Sequence, residues 1–246
     1  MSVLSQTTSG ATKLLAIDTA GAACSVALRI GDDVVASQSR EMVRGQAEAL
    51  MPMVAEVMGT AEVEFSTLNL IAVTIGPGSF TGLRTGLAAA RGLALALAVP
   101  IIGVTTTEAI ALEAHRAINP AADRQITVVL NSRRGDLYVQ HFTAGLVPLG
   151  EPSAASPQDI ARAVSADDVI FAGDATGQIS DVVRAWADRP DFSYFPVTSP
   201  NATFVADVAA NRWNSTSVKE ALVPPGLLYV RSPDAVQPAG QGRLRH

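Results

Sequence analysis

The stretch Leu70–Ala98 constrains this chain more than any other. It opens with the apolar run LIAVTI, passes through the turn GPGSFTG and continues into a helix that is apolar nearly all round. A short apolar run ended by glycine and proline reads as a strand buried on both faces. Between Leu83 and Ala98 the helix carries only Arg84, Thr85 and Arg91 as polar residues. Gly82, Gly86, Ala90, Ala94 and Ala98 recur every four residues as one narrow stripe of small side chains, flanked by Leu83, Leu87, Leu93 and Leu97. Such a helix must be covered on nearly all sides. Its own lobe's sheet covers one side, which leaves either the rest of the same chain or a partner chain to cover the others.

The remaining elements suit a layered α/β fold. Lys13–Asp18, Cys24–Arg29 and Val34–Gln38 read as strands, with a turn at Gly31-Asp32-Asp33. Arg44–Met58 reads as a helix that Pro52 kinks or restarts. Ile101–Val104 is a short strand after Pro100. A second half follows: a helix at Thr107–Ala117, a strand pair at Gln125–Asn131 and Asp136–Thr143, a helix near Pro157–Val164, a strand at Val169–Gly173, and helices at Gly177–Ala187 and Asn201–Asn211. Each half opens with a strand, a turn and an antiparallel strand, so the element order predicts two duplicated α/β lobes facing one another across a cleft. The expected division is 12–106 for a partner-binding first lobe, 107–221 for the second, and 222–246 for a flexible tail rich in proline and glycine.

Composition removes several function classes. One cysteine, Cys24, in an apolar stretch makes no internal disulfide and reads as a small core residue. Met1–Thr12 lacks the charged and apolar regions of a signal peptide. The longest apolar run, Gly92–Val104, is broken by Pro100 and is too short to span a membrane. The expected location is therefore the cytoplasm, with no membrane contact. The net charge is −5, and no stretch is a basic block. Phosphate contacts supply most non-specific nucleic-acid affinity, so an RNA would be gripped by another subunit.

Two turns are candidates for chemistry. Asp18-Thr19-Ala20-Gly21 ends a strand beside small residues; it either holds a metal-bound phosphate or satisfies the turn's own amides. Gly76, Gly78, Ser79, Thr81 and Gly82 lead into a helix start that either takes an anion or is capped by Ser79 or Thr81. The loop is neither a Walker A nor a dinucleotide fingerprint. The earlier helix carries Ala47, Leu50, Met51, Met53, Val54, Val57 and Met58 over about half its circumference, which suits a broad core face or an adaptable interface. His115, His141 and His246 are scattered without metal-ligand spacing, and no HExxH, CxxC or GxSxG occurs.

AIDTAGAACSVAL (Ala16–Leu28), ALMPMVAEVM and above all IGPGSFTGLRTGLAAARGLA (Ile75–Ala94) resemble the TsaB (YeaZ) family. VVLNSRRGDLYVQHF (Val128–Phe142) and Leu228-Tyr229-Val230-Arg231 resemble its later segments. The resemblance implies a two-lobed actin-like and sugar-kinase-like (ASKHA) fold and a non-catalytic subunit. Its partners would be TsaD, which transfers a threonylcarbamoyl group to the adenosine beside the tRNA anticodon, and the ATPase TsaE. Alone it would form a homodimer, and tRNA would be met only through the complex. No cofactor or metal is implied, since Arg44–Leu50 lacks the histidines of the catalytic subunit. Asn131 stands where relatives often carry an Asp, against a second phosphate-metal site. The expected interface comprises Leu50, Met51, Val54, Met58, Leu83, Arg84, Leu87 and Arg91, and the phosphate loop is expected to be vestigial. The alternatives are an ATP-binding phosphotransferase or ATPase using Asp18 and, remotely, a peptidase.

Overall fold

The computed structural model describes residues 10–118, 124–164, 169–186, 192–215 and 224–230. A first sheet forms from β1 (Lys13–Asp18), β2 (Ala23–Ile30), β3 (Asp33–Glu41), β4 (Leu70–Gly76) and β5 (Ile101–Thr105), in the order β3-β2-β1-β4-β5. A second contains β6 (Gln125–Asn131), β7 (Leu137–Phe142), β8 (Ser153–Ala155), β9 (Val169–Ala172) and β10 (Ser193–Phe195), in the order β10-β9-β6-β7-β8. Numbered within its own half, each sheet runs third, second, first, fourth, fifth. In both, the first three strands pair antiparallel and the last two join in parallel. The duplication expected from element order is thus present in the strand topology. The architecture is a two-lobed α/β fold with a mixed sheet in each lobe, the arrangement expected of an actin-like and sugar-kinase-like chain.

The helices are α1 (Gln46–Thr60), α2 (Phe80–Leu97), α3 (Thr106–Ile118), α4 (Pro157–Ala163), α5 (Thr176–Arg184) and α6 (Ala202–Ser215). Successive strand residues point to opposite faces, and the central strands are apolar on both. Leu15, Ile17, Ile71 and Val73 meet α1 and α2 on one face of the first sheet, while Leu14, Ala16, Leu70 and Ala72 meet α6 on the other. The second sheet packs α4 and α5 on one face and α3 on the other. α3 and α6 touch each other, so they form the layer between the two sheets. No helix among the described residues is long and apolar enough to cross a membrane.

Four features differ from expectation. α1 runs unbroken through Pro52, because Pro52 lies on the exposed side, where water can satisfy the Glu48 carbonyl that loses its partner. β8 and β10, three residues each, carry no apolar run of their own. α6 falls within 107–221 yet packs on the first lobe's sheet through Ala202, Val205, Ala206, Ala209 and Ala210, whose small side chains admit close approach. Residues 224–230, expected in the flexible tail, lie against the first lobe; the rest of 222–246 is outside the described residues. Leu228 N–H donates to the Ile75 carbonyl at 2.8 Å.

Between the sheets, Asp207 of α6 accepts from Arg29 Nε of β2 at 3.1 Å and from Arg116 of α3. The carboxylate therefore ties both helices of the central layer to the first sheet.

Candidate functional site

The two expected turns close on each other. Thr19 Oγ1 donates to the Gly82 carbonyl at 2.7 Å, and Ser79 N–H donates to the Ala20 carbonyl at 2.7 Å. Ser79 caps α2 by accepting from Gly82 N–H at 3.3 Å. Glycine is required along this seam. A Cβ on Gly78 would stand 2.5 Å from Ala20 O, one on Gly82 2.0 Å from Thr19 O, and one on Gly86 2.4 Å from Thr19 Oγ1. The small-residue stripe of α2 is accordingly spent within the chain, with Gly82, Gly86, Ala90 and Ala94 all buried. Gly76 (φ +114°) lies beneath Leu228.

Asp18 and Thr19 are fully buried, and Asp18 does not line the interlobe cleft. Its Oδ1 accepts from Thr74 Oγ1 at 2.7 Å and from Ala20 N–H at 3.1 Å, while Oδ2 finds no hydrogen-bond partner among the described residues. Burial raises its pKa from 3.8 to about 7, against the pull of those donors. The folded carboxyl thus keeps a proton that the unfolded one, near 3.9, has released. The associated stability is complete below the unfolded value, declines as pH rises and is gone above the folded value. Asp18→Asn removes this share, so the wild-type melting temperature should fall relative to the variant's between about pH 4 and pH 8. Glu113, also raised to about 7 by burial, leaves a residual slope in both proteins. Thermal melts of the two with the same pH dependence would refute a buried, protonated Asp18.

The cleft between the lobes encloses about 750 Å³. Gly78, Ser79 and Thr81 form one wall, and Arg133, Arg134 and Tyr138 of the β6–β7 hairpin face them. Asn131, at the end of β6, takes the position in its lobe that Asp18 takes at the end of β1. Its N–H donates to Asp174 Oδ1 at 2.8 Å, and its own Oδ1 accepts from Arg133 N–H at 2.7 Å. Burial raises the Asp174 pKa. Among the described residues, no three His, Cys, Asp or Glu side chains cluster as a metal site. The cleft has space and guanidinium groups for an anionic ligand, but its strand-end carboxylate is sealed away. Asp174 and the cleft-lining role of Tyr229 escaped the sequence reading. The available signal for Asp174 was an acidic residue directly after a buried strand.

The outward face of α1 and α2 differs in detail from the expected interface. Leu50, Val54, Met58, Leu83 and Leu87 are buried in the first lobe. Leu50, Val54 and Met58 pack in the core between the first sheet and the helices, so the expectation that they touch a partner is corrected, while Leu83 borders the interlobe cleft and Leu87 shows only an edge to a groove on α2. Met51 (43% exposed), Arg84 and Arg91 do reach the surface. Phe80, at 52%, and Leu95, at 86%, add exposed apolar area. Arg84 lies over the Phe80 ring, 3.8 Å from its centroid.

Residues 32–223 match the family described as TsaD, tRNA N6-adenosine threonylcarbamoyltransferase. The Escherichia coli tRNA threonylcarbamoyladenosine biosynthesis protein TsaB is 38% identical over 126 residues, covering 51% of this chain and 53% of that protein. The chain spans about half the length of the curated relatives it matches first. A Pseudomonas aeruginosa crystal structure, described as an uncharacterized protein with similarity to the peptidase YEAZ, superposes with a TM-score of 0.77 at 27% identity, covering 89% of this chain and all of that one. YeaZ from Pseudomonas aeruginosa superposes with a TM-score of 0.73 at 27% identity, over 86% of this chain and 98% of that one. The chain therefore belongs to the TsaD family of tRNA N6-adenosine threonylcarbamoyltransferases, in which the relatives it resembles carry the names TsaB and YeaZ.

Proposed function

We propose that the chain is a non-catalytic partner subunit in forming threonylcarbamoyladenosine beside the anticodon of tRNA. It binds the catalytic subunit TsaD through the outward face of α1 and α2, works with the ATPase TsaE, and meets tRNA only through the complex. The observation that supports this most is the sealed turn: Asp18 is fully buried under Thr19, Thr74 and α2, out of reach of a ligand in the cleft. The E. coli relative's name supports the pathway. Without TsaD, the same exposed face of Met51, Ala88 and Leu95 pairs with a second copy, since large apolar patches seldom stay uncovered.

Co-expression with the cognate TsaD tests the reading. The wild type should co-purify, and Met51→Glu should lower the affinity by roughly tenfold or more at an unchanged melting temperature, because it inserts a charge into an apolar contact. Leu87→Glu is not a usable probe, because Leu87 is core. Failure of the wild type to bind TsaD would remove the reading. The cleft supports one alternative, an ATP-using phosphotransferase. ATP turnover by the pure chain that disappears in Asp18→Ala would establish that alternative instead.

A further inference from the structure

The segment 224–230 crosses the first lobe as a strap. Two glycines make room for it: a Cβ on Gly103 would stand 2.7 Å from Pro225 Cβ, and one on Gly76 3.1 Å from Leu228 O. The strap is held by Leu228 N–H on Ile75 O at 2.8 Å, by the Arg91 guanidinium on Pro225 O at 2.7 Å, and by Leu227 packed against the first-lobe core. Its last residues form a wall with two sides. Leu227–Val230 line the interlobe cleft, and Leu227 and Tyr229 also bound a separate groove of about 300 Å³ on α2. Arg84, Leu87, Ala88 and Arg91 complete that groove.

The groove has a definite chemistry. Among the described residues no carboxylate lines it, although the chain carries a net charge of −5. Its two guanidiniums are positioned in advance, Arg84 over the Phe80 ring and Arg91 tied to the strap. Two turns of helix separate them, with Ala88 between as a low floor. Tyr229 is 54% exposed, and its ring centroid is 6.3 Å from that of Phe80. Forked guanidiniums recognise carboxylates in a fixed geometry, and an exposed aromatic edge offers an apolar wall.

We propose that this groove is a docking slot for an acidic segment of the partner subunit. A partner carboxylate sits between Arg84 and Arg91, and an adjoining apolar side chain rests on Ala88 and Tyr229. The slot rests on the partner-subunit reading and adds to it, because the C-terminal strap becomes part of the docking surface. A protein segment is favoured over nucleic acid because the row Arg84, Ala88, Arg91 continues along α2 to Leu95, an exposed apolar residue that a phosphate backbone would not cover.

The experiment measures affinity for purified TsaD by calorimetry at low and high salt, with a thermal melt of each variant. Arg84→Gln/Arg91→Gln should bind about ten- to a hundredfold more weakly and show a flatter salt dependence. Tyr229→Ala should lose about tenfold with the salt dependence retained. If Arg91→Gln loosens the strap and lowers the melting temperature, Arg84→Gln alone decides, since it is Arg91, and not Arg84, whose guanidinium is hydrogen-bonded to the strap backbone. Wild-type affinity and salt dependence in the folded variants overturn the slot while the partner-subunit reading stands. Absence of TsaD binding by the wild type overturns both. Binding of a single-stranded RNA that the double variant loses, with TsaD affinity unchanged, would assign the groove to nucleic acid and overturn the slot.

Discussion

Asp207→Ala is expected to lower the melting temperature by roughly 10 °C or more. Asp207 is buried in α6 and accepts from Arg29 and Arg116, which come from two other elements. The two arginines respond differently when it is removed. Arg116 is half exposed and can turn to water. The Arg29 side chain is only 12% exposed and stays where it is. Its remaining partners are the Gly31 carbonyl and Asp32, whose own side chain is 98% exposed and therefore well hydrated. An uncompensated buried charge costs about 3–5 kcal/mol, at roughly 2–4 °C of melting temperature per kcal/mol for a chain of this size. Asp207→Asn keeps an acceptor for Arg29 and should lose less. Arg29→Met/Asp207→Leu removes both charges and should recover part of the loss, because apolar replacements of buried pairs are often tolerated. A melt of Asp207→Ala within about two or three degrees of wild type would mean that Arg29 escapes to solvent, and that the carboxylate does not hold the central layer.

Much of the fold was legible because it rests on local pattern. β1 and β4 are apolar on both faces and announce themselves as runs, and α2 is bracketed by the glycine turn and Pro100. What was not legible depends on neighbours distant in sequence. β8 and β10 are strands only because β7 and β9 offer them edges. α6 carries an apolar stripe that would suit either sheet, and its Ala202 N–H finds Ser25 Oγ at 2.9 Å, a partner 177 residues away. The strap at 224–230 is proline-rich and lacks periodicity; its fixed position comes from Arg91 and Ile75.

The candidate site was legible in its location and not in its directions. Periodicity marked the apolar arc of α1 correctly, but an arc does not reveal what covers it. The first sheet and α2 cover Leu50, Val54 and Met58, and the margin at Ala47 and Met51 is left outside. The same limit applied to Asp18. A carboxylate at a strand end suits a phosphate site or a turn, and the choice is made by Thr74, 56 positions away, together with the closure of α2 over Thr19.

The glycine stripe of α2 gives the second large effect, because two principles predict opposite signs for it. Alanine is a better helix former than glycine by about 1 kcal/mol, so propensity alone favours Gly→Ala anywhere along α2. Gly92 is exposed, and a Cβ added there would have nothing within 4 Å, so Gly92→Ala should gain up to about that amount. At Gly86 the new methyl would stand 2.4 Å from Thr19 Oγ1, which can rotate away only by giving up its bond to Gly82 O. Gly86→Ala should therefore be a moderate loss. At Gly82 the obstacle is the Thr19 carbonyl at 2.0 Å, and a backbone atom in a buried turn cannot step aside. Either α2 lifts from β1 or the turn at Asp18 deforms, and overpacking of this kind costs about 1–3 kcal/mol and sometimes more. The contact outweighs the propensity, so Gly82→Ala should destabilise by on the order of 3 kcal/mol, while Gly92→Ala stabilises. Lifting α2 would also shift Phe80 and Arg84, so Gly82→Ala should weaken TsaD binding although Gly82 itself is buried away from the docking surface. Denaturant melts of the three variants decide the matter. Gains at all three positions would mean that α2 does not press on Thr19, and the sealed turn on which the non-catalytic reading leans would be open.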